Sequence, residues 1–201
     1  MRRRIQVAEA HLRRADPTLG ELIERHGPCT LMQRPKPHFH NLVWAIVNQQ
    51  LSVRAAATIE QRLLDWFGAD TFHPGHFARV RDTSLRRCGL SGSKIRYIRD
   101  IAARVRRGEL DLDALQRHDE DVIAERLMQI PGIGRWTADM FLMFSLGKLD
   151  VLPVGDLALR KSMRLHYDLP EDAGHDAYIA VAEAWRPYRT VASWYIWAAV
   201  D

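Results

Sequence analysis

The chain has 201 residues, 47% of them apolar and 27% charged, the make-up of a globular protein able to bury one sizeable core or two small lobes. Its formal charge of +4, from 29 Lys and Arg against 25 Asp and Glu, permits a polyanionic partner without requiring one. No apolar run reaches the ~18 residues of a membrane span and the N-terminus lacks a signal-peptide core, so a cytoplasmic protein with no membrane partner is expected.

Arginine crowds the start of the chain, at Arg2 to Arg4, Arg13 and Arg14, as on a solvated helix face. Phe39, Leu42, Val43, Ile46, Val47 and Leu51 recur at helical spacing and share one face. Ser52 suits the N-cap of a second helix whose apolar face reads Ala56, Ile59, Leu63 and Phe67, with Gly68 closing it. A polar connection to Gly75 leads into short helices around 77–87 and 94–106. Val122, Ile123, Leu127 and Ile130 lie on one helical arm, and Ala138, Phe141, Leu142 and Ser145 on another that Gly147 ends. Residues 148–155 carry no helical pattern, and Val151-Leu152-Pro153-Val154 reads as extended chain. Helices resume at about 156–165, 173–184 and 190–200. No alternation is long enough for a sheet, so the predicted class is all-α.

Between the two arms runs Leu127-Met128-Gln129-Ile130-Pro131-Gly132-Ile133-Gly134-Arg135-Trp136-Thr137-Ala138. Pro131 presets the second position of a tight turn, and Gly132 and Gly134 tolerate the positive φ such turns need. The next helix begins at about Gly134, so its unsatisfied N–H groups and positive dipole end form a sequence-blind phosphate site. Asp156 follows Trp136 by twenty residues. Read alone, an Asp before an apolar helix is an N-cap. His38 and His40 flank Phe39 without a third ligand nearby, and neither Cys29 nor Cys88 has metal-ligand spacing, so no metal site is expected.

The Pro-Gly-Ile-Gly turn with its two arms resembles the helix-hairpin-helix element of the DNA glycosylase superfamily that includes endonuclease III. Arg135-Trp136-Thr137-Ala138 is most similar to the 3-methyladenine DNA glycosylase II branch. Three further stretches carry the likeness: residues 39–52, ending Asn48-Gln49-Gln50-Leu51-Ser52; the turn Cys88-Gly89-Leu90-Ser91 with the helix to Ala102; and Trp185-Arg186-Pro187-Tyr188-Arg189 with Trp194 and Trp197. The resemblance implies two helical lobes with a cleft between them, residues 37–147 forming one and residues 1–36 with 148–201 the other. Larger members carry an N-terminal sheet domain, which the residues before position 37 are too few to form.

The implied activity is monofunctional hydrolysis of the N-glycosidic bond of alkylated purines in base excision repair, leaving an abasic site. A non-catalytic protein binding damaged or distorted duplex through the same hairpin is the alternative. A glycosylase must extrude its target nucleotide and fill the gap. Gln49, Gln50, Leu51 and Ser52 form the implied wedge, with Gln50 in the intercalating position, although the residues alone fit a helix cap equally well. Gly132, Ile133, Gly134, Arg135 and Thr137 are the implied contacts to the DNA backbone. Asp156, in the setting Pro153-Val154-Gly155-Asp156, takes the catalytic register, ahead of Asp139 and Asp150, which are expected to face solvent.

Trp136, Trp197, Trp194, Met140 and Phe39 are the implied base pocket, while Trp185 and Trp66 are expected in the core. Bifunctional relatives place a Schiff-base Lys where Trp136 stands. Two cysteines cannot supply the four-cysteine iron–sulfur cluster of many endonuclease III relatives. No cofactor is required, and the resemblance allows a monovalent cation at the hairpin. The implied partner is double-stranded DNA with a flipped damaged purine, bound by a monomer.

Overall fold

A computed structural model describes residues 1–31, 33 and 35–200. Among these the chain forms α1 (Arg2–Ala15), α2 (Pro17–His26), α3 (His38–Asn48), α4 (Val53–Phe67), α5 (Asp82–Arg87), α6 (Gly92–Arg106), α7 (Glu120–Met128), α8 (Arg135–Phe144), α9 (Leu157–His166), α10 (His175–Ala182) and α11 (Arg189–Ala198). Short 3₁₀ turns intervene, and the described residues contain no strand. The chain divides into two compact units, residues 35–146 and residues 1–34 with 147–201.

In the unit of residues 35–146, α3 is the central helix. Phe39 to Val43 and Ala45 to Val47 are all buried, so it is packed all round rather than along one stripe. Leu51 departs from the predicted helix face. It lies beyond the end of α3 in the turn before Ser52 and is 40% exposed. Ser52 does cap α4, accepting the Ala55 N–H at 3.3 Å, and Gly68 ends α4 in the left-handed conformation. Phe39, Phe67, Phe72 and Phe77 form an aromatic cluster with ring centroids 5.2 to 6.4 Å apart. Trp66, expected in the core, is instead 53% exposed on α4, because the buried line there runs through Ala56 and Leu63.

Buried polar groups of this unit tie α3 down. His40 Nδ1 accepts the Phe72 N–H at 3.1 Å, which leaves the ring proton on Nε2, 3.3 Å from Glu60. Asn41 donates to Lys36 O at 3.1 Å and reaches Ser145 Oγ at 3.2 Å, and His38 Nδ1 lies 2.8 Å from the same hydroxyl. His38 and His40 thus serve packing, and the described residues contain no group of three His, Cys, Asp or Glu that could hold a metal ion. Among the described residues, no helix is long and apolar enough to cross a membrane.

In the other unit, α1, α2 and α11 pack together with α9. Asp16 is buried yet saturated: Oδ1 caps α2 through the Leu19 N–H, while Oδ2 accepts from Tyr167 and from the Trp185 indole at 2.7 Å. Trp185 is fully buried, as expected of a core residue. Ser162 of α9 donates to Ile196 O of α11 at 2.6 Å, fixing these two helices against each other. The extended chain before α9 is held as firmly. Thr190 Oγ1 bonds Lys148 O and the Val151 N–H, and the Asp150 carboxylate sits between Arg186 and Arg189 at 2.7 and 2.8 Å. Contrary to the expectation that Asp150 faces solvent, these arginines enclose it and make it a strut for the segment that leads to Asp156.

Candidate active site

The hairpin forms as the sequence dictates. The Ile133 N–H reaches Ile130 O at 3.1 Å, closing a four-residue turn with Pro131 second and Gly132 third at φ +87°. A positive φ at the third position is the type II requirement, and glycine meets it without steric cost. Gly132 is needed a second time because the Tyr97 ring of α6 lies directly over it, and any Cβ there would penetrate that ring. Gly134 behaves differently from the prediction. Its φ is −98° with ψ 180°, ordinary extended geometry for a residue preceding a helix. What its missing side chain provides is openness: no side chain caps α8, and an added Cβ would meet nothing within 4 Å. The start of α8 therefore carries no side-chain cap, the arrangement that favours an anion.

Around this turn the expected backbone-contact residues split in two. Arg135 is exposed, whereas the Ile133 and Thr137 side chains are buried, leaving their main-chain groups as what a phosphate could use. Thr137 Oγ1 is occupied by an internal bond from Gln49 Nε2 at 2.8 Å, and the same nitrogen lies 2.8 Å from Gly132 O. Gln49 is thus engaged with the hairpin rather than free to enter a duplex. The exposed candidate is Gln50, held at φ +56°, a left-handed conformation that a non-glycine residue keeps only where its surroundings enforce it. Leu51 and Ser52 are exposed beside it, with Ser52 also acting as the α4 cap.

Asp139, expected at the surface, is 2% exposed because α8 is buried from Thr137 through Met143. Arg135, one turn earlier, pairs with it at 2.9 Å. Burial pushes its carboxyl from the ordinary 3.8 up to about 6, with Arg135 opposing the shift. A carboxyl raised in the folded state is protonated there while the unfolded chain has already ionised. Its contribution to stability is therefore fully present below about pH 4 and is lost as pH rises to about 6. Replacing Asp139 by Asn should remove this dependence. The difference in unfolding free energy between wild type and the variant, followed by urea titration from pH 4 to 7, is expected to fall by about 2 kcal/mol.

Asp156 is half-buried at the N-terminus of α9. Its Oδ1 accepts the Leu159 N–H at 2.7 Å, making it a helix cap, and also the Trp197 indole N–H at 3.0 Å. Two converging donors fix the carboxylate's orientation. Trp197 is half-buried on α11, and Trp194 packs edge-on against Tyr195 at 4.9 Å. Asp156 and Trp197, forty-one residues apart in sequence, are thereby brought together within one unit. Trp136 is half-buried in the first turn of α8. Met140 and Phe39, expected in the pocket, are 3% and 5% exposed, with Phe39 committed to the aromatic cluster against Phe77.

Residues 43–187 match the HhH-GPD superfamily of base excision DNA repair proteins. The chain belongs to that superfamily. Among its relatives, the DNA-3-methyladenine glycosylase 1 of Schizosaccharomyces pombe is 33% identical over 195 residues, spanning 94% of this chain and 85% of that one. A solved structure of the 3-methyladenine DNA glycosylase of the same yeast, in complex with abasic DNA, superposes with a TM-score of 0.86 at 31% identity, over 94% of each chain. A DNA-3-methyladenine glycosidase from Bacillus halodurans is 40% identical, with a TM-score of 0.75 over 95% of this chain and 87% of that one. Membership rests on a stretch that includes the hairpin, the Gln50 turn and Asp156. It does not by itself assign roles to Lys94 and Tyr97 of α6, which spacing could not reveal because their partners lie 35 to 47 residues away.

Proposed function

We propose that this chain is a monofunctional DNA glycosylase that hydrolyses the N-glycosidic bond of alkylated purines of the 3-methyladenine type. The observation that carries the reading is the carboxylate of Asp156, oriented by the Leu159 N–H and the Trp197 indole in a chain whose hairpin leaves a helix N-terminus without a side-chain cap. Relatives named 3-methyladenine glycosylases, one of them bound to abasic DNA, support the substrate class and the product.

The chemistry stems from charge. Methylation at N3 or N7 makes the purine cationic, so it departs with the glycosidic electron pair as a neutral base and needs no strong general acid. Positive charge is left on the deoxyribose, where a fixed anion lowers the barrier. Water then bonds to C1′ and releases one proton to solvent, leaving a hydroxyl on C1′ and completing hydrolysis. The indole face of Trp197 beside Asp156 suits a cationic purine, an attraction of about 0.5 to 2 kcal/mol, and Trp136 takes the same role from its place in the Arg-Trp-Thr-Ala pattern. Gln50 acts as the wedge for the extruded nucleotide. Contacts through the α8 amides and Arg135 are to phosphate and read no sequence.

Trp136 also bears on the fate of the abasic product, since an indole cannot form the Schiff base that a lysine at this position would. A duplex carrying one 7-methylguanine, incubated with the protein as a monomer, should break at the lesion only after hot alkali. Strand scission without alkali, or covalent capture of the protein on DNA by borohydride, would show lyase chemistry and remove the monofunctional assignment.

A further inference from the structure

Two side chains outside the reacting groups join the Gln50 turn to the hairpin. Lys94 of α6 donates from Nζ to Val47 O and Gln49 O, both at 2.8 Å. These carbonyls lie at the C-terminal end of α3, where the helix has no further N–H to offer them. Gln49 in turn spans to Gly132 O and Thr137 Oγ1, so its main chain is held by Lys94 while its side chain holds the hairpin. Tyr97, one turn beyond Lys94, covers Gly132 and closes the same arrangement. Gln50 stands between these anchors at φ +56°, a strained conformation that needs such enforcement.

We propose that Lys94 and Gln49 are positioning residues that lock the Gln50 turn to the hairpin, so that wedge and phosphate grip meet the duplex in one register. The inference rests on reading Gln50 as the wedge. Burial lowers the proton affinity of Lys94, which the two carbonyl contacts oppose by favouring the ammonium.

A double-mutant cycle separates positioning from simple stabilisation. Gln50→Ala, Lys94→Met and the combination are compared in single-turnover excision of 7-methylguanine. They are also compared in the fluorescence of 2-aminopurine beside a tetrahydrofuran abasic analogue, which reports entry of the wedge. If Lys94 acts through Gln50, Lys94→Met slows excision about tenfold and reduces the fluorescence rise. In the Gln50→Ala background it then adds less than about twofold, because no wedge remains to be placed. Affinity for lesion-free duplex, which reads the hairpin, stays at the wild-type value. Independent, multiplicative effects, or no effect of Lys94→Met alone, overturn the proposal. Should Lys94→Met not fold, Gln49→Met is nearly isosteric, removes both hairpin bonds and runs through the same cycle with the same expected outcomes for excision and fluorescence. If Gln50→Ala keeps full excision and fluorescence, the wedge reading itself fails and takes the proposal with it.

Discussion

Replacing Asp156 by Asn is expected to slow base release by up to about three orders of magnitude while leaving the chain folded and bound to DNA. The substitution is informative because Asn retains the cap: its side-chain oxygen can still accept the Leu159 and Trp197 N–H groups that now converge on Oδ1. The charge is removed, and the second oxygen becomes a donating amide. At ~4 Å and an effective dielectric of ~20, a carboxylate and a developing sugar cation attract by about 4 kcal/mol. Each 1.4 kcal/mol is about tenfold in rate, which sets the three-decade ceiling. Single-turnover excision read beside affinity for abasic duplex tests this directly. Equal loss of both would mean that Asp156 supports the fold rather than the reaction. Asp156→Ala would confound the two by also losing the cap, at about 1 kcal/mol.

Gly132→Ala should be the most damaging single methyl group in the hairpin. A φ of +87° costs an L-residue about 1 to 2 kcal/mol, and forcing Cβ into the Tyr97 ring costs about 1 to 3 more. The expected loss is therefore about 2 to 5 kcal/mol of stability. A turn that shifts to relieve these conflicts also moves the first N–H groups of α8, so affinity should fall for every duplex sequence alike. Combining Gly132→Ala with Tyr97→Ala distinguishes the two causes. Removal of the ring should recover the steric part and leave the backbone part. Full recovery of melting temperature in the double variant would show that φ costs nothing here.

The features legible from sequence are those written in local chemistry. Pro131 and Gly132 specify their turn, and Ser52 and Gly68 bracket α4. Sequence alone leaves Asp156 as either a cap or a catalyst; its bonds show that the side chain does cap α9, and the catalytic reading adds a role rather than replacing that one. What spacing could not supply is the identity of tertiary partners. The Lys94 bonds to the end of α3, the Gln49 bridge to the hairpin and the Tyr97 cover over Gly132 all join segments far apart in sequence. Asp139 and Trp66 depart from expectation for a related reason. A one-stripe pattern presumes a helix with a wet side, yet α8 is buried from Thr137 to Met143, while α4 buries so narrow a line that even a Trp is left outside.

Chromatography of the free bases released from N-methylated DNA, by the wild-type protein and by Asp156→Asn in parallel, tests the catalytic assignment most directly. Methylated purines, 3-methyladenine among them, should accumulate with the wild type and stay near background with the variant. Absence of any released base with the wild-type protein, or equal release by both, would contradict it.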